Sequence, residues 1–156
     1  MKKISAVTGI VMLSLLALGQ GSHESANTQN PLIGAWQLAS LEEPDADGRL
    51  HKADCTGMLV FARDGHVSVQ VMYRNPPSEG KSAPVQYAQG GYEASYGKYE
   101  VNDAHTFTFH VEGALVRALI GKHLKRTYEL SGNQLFVKSS DPNEHWKVTW
   151  ERYSQQ

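Results

Sequence analysis

The run Met58-Leu-Val-Phe-Ala-Arg-Asp-Gly-His-Val-Ser-Val-Gln-Val-Met-Tyr73 decides what kind of fold this chain takes. Its first part, Met58 to Arg63, is mostly apolar, and its last part sets Val67, Val69, Val71 and Tyr73 against Ser68, Gln70 and Met72. Alternate side chains of a strand point to opposite faces, so the valines and the tyrosine form one apolar surface. Between the two halves, Asp64-Gly65 readily takes the positive φ values of a tight hairpin turn. Strands joined in this way run antiparallel.

The same alternation recurs on both sides of the hairpin. Upstream, Trp36, Leu38 and Ser40 alternate with Gln37 and Ala39. Downstream, Tyr96 to Val101 turns through Asn102-Asp103-Ala104 into Thr106 to Glu112. Leu124, Arg126, Tyr128 and Leu130 then alternate with Lys125, Thr127 and Glu129. Ser131-Gly132-Asn133 turns into Leu135 and Val137, and Trp146, Val148, Trp150 and Arg152 oppose Lys147, Thr149 and Glu151. That makes about eight short strands. Helical signal is weak, because Gly90-Gly91 would interrupt any turn around Tyr87-Ala88-Gln89 at roughly 1 kcal/mol per glycine. The pattern predicts an all-β antiparallel barrel or sandwich, and periodicity does not choose between them. Eight up-and-down strands close without an exposed edge, around an interior that is either filled or able to hold one small ligand. The longest connection, Arg74 to Pro84, holds three prolines and a glycine and is expected at the barrel mouth, as a mobile lid or as a passive insertion.

Composition narrows the partners. The 156-residue chain has a net charge of −1. The first nineteen residues carry two lysines and no acid, so the remainder stands at about −3. No basic run with interleaved aromatics is present, which argues against nucleic acid as a partner. Lys2 and Lys3, the apolar stretch Ile4 to Leu18 and the small residues of Ala17-Leu18-Gly19 read as a signal peptide over residues 1–19. That apolar stretch is short against the roughly 20 residues needed to span a bilayer, so no stable membrane insertion is expected after cleavage. Gln20 stands where a lipidated cysteine would have to be, and a periplasmic or secreted protein is the expectation. Residues 20–30 are expected to be a disordered leader, and 31–156 one barrel domain. A sole cysteine, Cys55, leaves no intramolecular disulfide; it is either a buried small hydrophobe or a thiol able to join two chains.

Several segments resemble a known family. Leu32-Ile33-Gly34-Ala35-Trp36-Gln37-Leu38 is similar to the Gly-x-Trp opening strand of lipocalin and calycin barrels. Tyr96-Gly97-Lys98-Tyr99-Glu100-Val101, Phe109-His110-Val111-Glu112-Gly113, the hairpin Asp64-Gly65-His66-Val67-Ser68 and Lys125-Arg126-Thr127-Tyr128-Glu129-Leu130 resemble segments of the bacterial and fungal lipocalin-like domain family. The resemblance covers about residues 31–153. It implies an eight-stranded up-and-down barrel open at one end; where classical lipocalins continue into a helix, this sequence stops at Gln156 just after its last expected strand, and so looks like the compact variety. It also implies that Trp36 plugs the closed end under an arginine from a late strand, Arg152 first and Arg126 second. Such a fold is shared by carriers and a few enzymes and does not by itself assign an activity.

Candidate functional residues follow from the faces. Arg126 and Tyr128 share the apolar face of their strand with Leu124 and Leu130, and an inward arginine needs a carboxylate, carbonyls or an anionic ligand. They are expected to hold the acid head of an amphipathic ligand; the competing expectation is an internal ion pair of Arg126 with Glu100 or Glu112. Val69, Val71, Tyr73, Tyr99, Phe107, Phe109 and Trp150 either line or fill the interior. His110 and Glu112 lie two apart on one face. Parity sends them outward, opposite Phe107, Phe109 and Val111, whereas a bulge at Gly113 would re-aim them inward as a polar anchor for ligand. Arg126, Tyr128, Tyr99, His110, Glu112 and Phe109 are therefore the candidate ligand-binding residues. There is no Gly-x-Ser-x-Gly, no His-Glu-x-x-His and no phosphate-binding glycine loop. The histidines lack ligand spacing, so neither metal nor cofactor is expected. The function expected is binding of a small apolar or amphipathic molecule. The alternatives are an isomerase or hydrolase using His110 or Tyr128, and a solid barrel whose outer surface binds protein.

Overall fold

The computed structural model describes residues 30–45, 47–75 and 88–154. Most of the Arg74–Pro84 connection expected as a lid, and the whole of the expected signal peptide, lie outside the described residues. The chain forms β1 (Gly34–Pro44), β2 (Leu50–Ala53), β3 (Cys55–Phe61), β4 (His66–Tyr73), β5 (Tyr92–Asp103), β6 (Thr106–Ala114), β7 (His123–Ser131), β8 (Gln134–Ser139) and β9 (Lys147–Arg152), with one 3-10 turn at Arg117–Leu119. Neighbours in sequence pair antiparallel from β3 to β9, and β1 pairs with both β3 and β9. Closure between first and last strands makes an eight-stranded barrel, and the short β2 folds back on the end of β1. The fold is thus the all-β closed barrel expected, and it resolves the choice that periodicity leaves open.

The hairpin of β3 and β4 forms in the register the alternation implies, with Leu59 opposite Val69 and Phe61 opposite Val67. Gly65 takes φ 89°, a left-handed conformation that glycine adopts without a Cβ clash. Inward residues pack most tightly at the end where β1 begins, where Leu32, Trp36, Phe61 and Leu135 are fully buried. Arg152 lies 4.0 Å over the Trp36 ring and donates hydrogen bonds to the carbonyls of Ile33 (2.7 Å) and Pro31 (2.6 Å). Trp36 Nε1 donates to the Leu32 carbonyl at 2.9 Å. The stacked arrangement expected for Arg152 is therefore present, and it seals this end.

Two irregularities change which side chains point inward. In β1 the pairing to β9 slips between Leu38 and Ser40. The inward series Trp36, Leu38 becomes Leu41, Glu43 beyond the slip, because one extra residue reverses the parity of all that follow. In β6 the pairing slips at Glu112, so that Tyr96 faces Gly113 and Gly97 faces Val111. A Cβ on Gly97 would strike the His110 carbonyl oxygen, so only glycine lets the two backbones approach there.

Candidate functional site

Above the sealed end the barrel keeps a cavity of about 100 Å³. Its walls are apolar, with Val69, Val71, Phe107, Phe109, Val137 and Trp150 among them. These come from β4, β6, β8 and β9, the faces the alternation assigns inward. The interior is neither solid nor wide. Three polar side chains also line it, namely Glu93 and Ser95 from the start of β5 and Arg126 from β7.

Arg126 is buried and already engaged. Its Nη1 donates to Ser139 Oγ at 3.1 Å and lies 3.3 Å from Glu144 Oε2, while the guanidinium sits 5.0 Å from the centre of the Trp146 ring. Trp146 Nε1 donates to the same Glu144 oxygen at 3.2 Å. The inward arginine thus has a carboxylate partner, but the partner is Glu144 in the loop between β8 and β9. Glu100 and Glu112, named as alternatives from sequence, are both exposed.

Glu93 differs. Among the described residues no group donates a hydrogen bond to its carboxyl, and burial raises its pKa to about 7 against a smaller opposing pull from the Arg126 charge. A carboxyl withdrawn from water holds its proton longer because the charged form loses hydration. A second acidic group lies at the same end of the barrel. Glu43 at the end of β1 is fully buried, accepts a hydrogen bond of 2.6 Å from Tyr73 Oη and lies 3.8 Å from His51 Nε2 of β2. Burial raises the Glu43 pKa, with Tyr73 and then His51 working against the shift. Burial likewise pushes the nearby Cys55 thiol up to about 11, and Cys55 is partly buried and free.

The other sequence candidates are dispersed. Phe109 and Arg126 line the cavity. Tyr99 and Tyr128 lie toward the sealed end. Tyr99 packs edge-on to Phe61 with centroids 4.8 Å apart and donates to the Ala62 carbonyl at 3.2 Å. Tyr128 is buried beside Phe107, its hydroxyl 3.4 Å from the Asp103 carbonyl. His110 and Glu112 sit on the outer face. His110 Nδ1 contacts His123 Nδ1 of β7, and its Nε2 is 3.8 Å from Glu100. The bulge that Gly113 suggests does occur beside Glu112, yet it leaves the pair outward, as simple alternation has it. An inward polar anchor made of His110 and Glu112 is therefore not what the geometry presents, and neither His110 nor Tyr128 lies against the cavity as the catalytic alternative would need.

Glu93, Ser95 and Glu144 are the polar residues that sequence reading passed over. Counting back by twos from Tyr99 through Gly97 and Ser95 reaches Glu93, but only once β5 is known to begin at Tyr92. Glu144 lies in a loop, where no period operates. Among the described residues no group of His, Cys, Asp and Glu is arranged to hold a metal, and no helix is long and apolar enough to cross a membrane.

A lipocalin-like protein from Bacteroides uniformis shares 18% identity over 78% of this chain and 98% of its own, with a TM-score of 0.46. An uncharacterized protein from Bacteroides eggerthii gives 17%, 78%, 99% and 0.47, and the lipoprotein YedD from Klebsiella pneumoniae 14%, 81%, 74% and 0.41. No curated protein matches the chain. The model of the lipocalin-like domain matches residues 33–153, which span the barrel from its sealed end to its closing strand, and the chain belongs to that family.

Proposed function

We propose that this protein is an exported carrier that holds a small, largely apolar molecule inside its barrel without transforming it. The observation that carries the reading is the cavity itself, an apolar shaft with Glu93, Ser95 and Arg126 in its wall. Apolar walls supply affinity through burial, and a few fixed polar groups supply orientation. The size restricts the occupant. Engineered apolar cavities of about 150 Å³ take up benzene, so a space of this order suits one ring or a short alkyl chain, or that part of a larger molecule. Export is supported by the lysine pair, apolar stretch and small residues of positions 1–19.

The test is native mass spectrometry on protein recovered from the extracytoplasmic fraction of the cells that make it, beside a Val69→Trp variant that fills the shaft. The expected result is a co-purifying small molecule on the parent protein and none on the variant. Equal, ligand-free spectra, together with no uptake of short-chain or single-ring probes by the parent, would overturn the reading.

A further inference from the structure

Arg126 and Glu93 face the same space in different electrostatic situations, and this points to the kind of head group the cavity takes. We propose that the occupant is an amine, held as its ammonium by Glu93, and not the carboxylic acid that an inward arginine suggests. The proposal rests on the carrier reading above and deepens it.

Three observations support the assignment. Arg126 already has Glu144 at 3.3 Å, Ser139 at 3.1 Å and the Trp146 ring at 5.0 Å, so its charge is matched by protein groups before any ligand enters. Glu93 is half-buried in the cavity wall and accepts no hydrogen bond from a described residue, so its carboxylate is open to a donor that enters the cavity. Among the described residues, Arg126, Glu144 and ionised Glu93 together carry one net negative charge, which an ammonium balances and a carboxylate would double. Around Glu93, β4 presents Val71 and the Tyr73 hydroxyl, β5 Ser95, β6 Phe109, β7 Arg126, and β8 and β9 Val137 and Trp150. Leu119 of the 3-10 turn and Glu144 are also near, and among the described residues lining the cavity Arg126 is the one cation. An ammonium carried on a short alkyl chain leaves its chain against valine and aromatic walls and its three donors for Glu93, Ser95 and water.

Proton balance gives the proposal a second signature. Below pH about 7 the Glu93 carboxyl is largely protonated in the free protein. Binding an ammonium requires the carboxylate, so the carboxyl releases its proton to solvent as the ammonium docks, and amine affinity climbs as pH rises toward 7 and levels off above it. A neutral alcohol of the same length imposes no such release.

The experiment compares n-hexylamine, 1-hexanol and hexanoate by calorimetric titration of the full chain at pH 6 and pH 8, each in two buffers of different ionisation enthalpy. Expected at pH 8 is binding of the amine about tenfold tighter than the alcohol, with hexanoate weakest. Expected at pH 6 is weaker amine binding with release of close to one proton. Glu93→Gln, which keeps shape and hydrogen-bonding capacity, should erase the preference for the amine over hexanol and the proton release. If all three probes bind with equal affinity, or hexanoate binds best, the amine assignment is overturned and the carrier reading stands. If none of the three binds, the amine assignment is overturned, and the carrier reading fails with it when single-ring probes are refused as well.

Discussion

Glu144 and Arg126 meet at 3.3 Å with side chains only 12% and 9% exposed, so the pair is screened from water on nearly all sides. Removing one member of such a pair leaves a buried, uncompensated charge, a larger loss than removing both. Glu144→Ala should therefore destabilise the protein by about 3 kcal/mol in urea unfolding. The double variant Glu144→Ala/Arg126→Met should lose markedly less, and equal losses would show that the pair is not coupled. At the opposite end, Arg152→Ala deletes the stack on Trp36 and leaves two carbonyls without their donor. A loss of about 2 kcal/mol is expected from the cation–π contact and the hydrogen bonds together, with Arg152→Lys recovering only part because an ammonium has no planar face to lay on the indole. Both arginines are visible in the sequence as cations on apolar faces, and their partners differ in legibility. Trp36 belongs to a recognisable Gly-x-Trp strand, whereas Glu144 belongs to no pattern and is brought to Arg126 by a loop.

At the scale of the element, the bulges separate what alternation predicts from what it misses. Strands β4 and β7 keep one parity throughout, and their inner faces follow from counting by twos. In β1 the slip after Leu38 turns Glu43 inward, and a reader counting from Trp36 places it on the outside. Short β2 and the first residues of β5 were hidden for another reason. Leu50–Ala53 is a four-residue strand with one buried side chain, and Tyr92 to Ser95 follows two glycines with little apolar content, so neither has a hydrophobic period to read. The β6 bulge supplies a test of its own. Gly97→Ala drives a methyl into the His110 backbone, whereas Gly113→Ala meets only the ring of the exposed Tyr96, which is free to swing away. Gly97→Ala should therefore cost the larger amount, about 2 kcal/mol or more, with Gly113→Ala within about 1 kcal/mol of the parent in thermal unfolding. The reverse order would mean that the backbone at the bulge gives more easily than the tyrosine.

For the whole molecule, the titrating carboxyls set a pH profile. Glu93 and Glu43 are raised above 4.5, so the folded chain binds more protons than the unfolded chain between 4.5 and their folded values. Their contribution is complete below pH 4.5 and is lost as pH rises, for Glu93 until about pH 7. Asp64 and Asp103 act in the opposite sense. Their hydrogen bonds, with His66 and Thr106 the largest causes, hold them below 3.8, and the stability they add is lost as pH falls below that value. The ligand-free protein should accordingly melt highest in mildly acid solution, around pH 4 to 5, and lower at pH 7.5. Glu93→Gln should flatten the decline between pH 5 and 7, and a parent melting curve that rises over that interval would contradict a Glu93 carboxyl that holds its proton to about pH 7.

Closure of the barrel by β1 against β9 has a consequence in time as well as in space. Trp36 pairs with Arg152, so the seam joins residues more than a hundred positions apart. Such a seam cannot form while the chain is still being synthesised, because its second half arrives last. Until Lys147–Arg152 is present, β1 offers an open hydrogen-bonding edge and Trp36 has no arginine above it. Long-range closure of this kind is slow, since the entropy of a large loop must be lost before any contact rewards it. The order of strands therefore acts as a delay, keeping the barrel open until its last strand has been made.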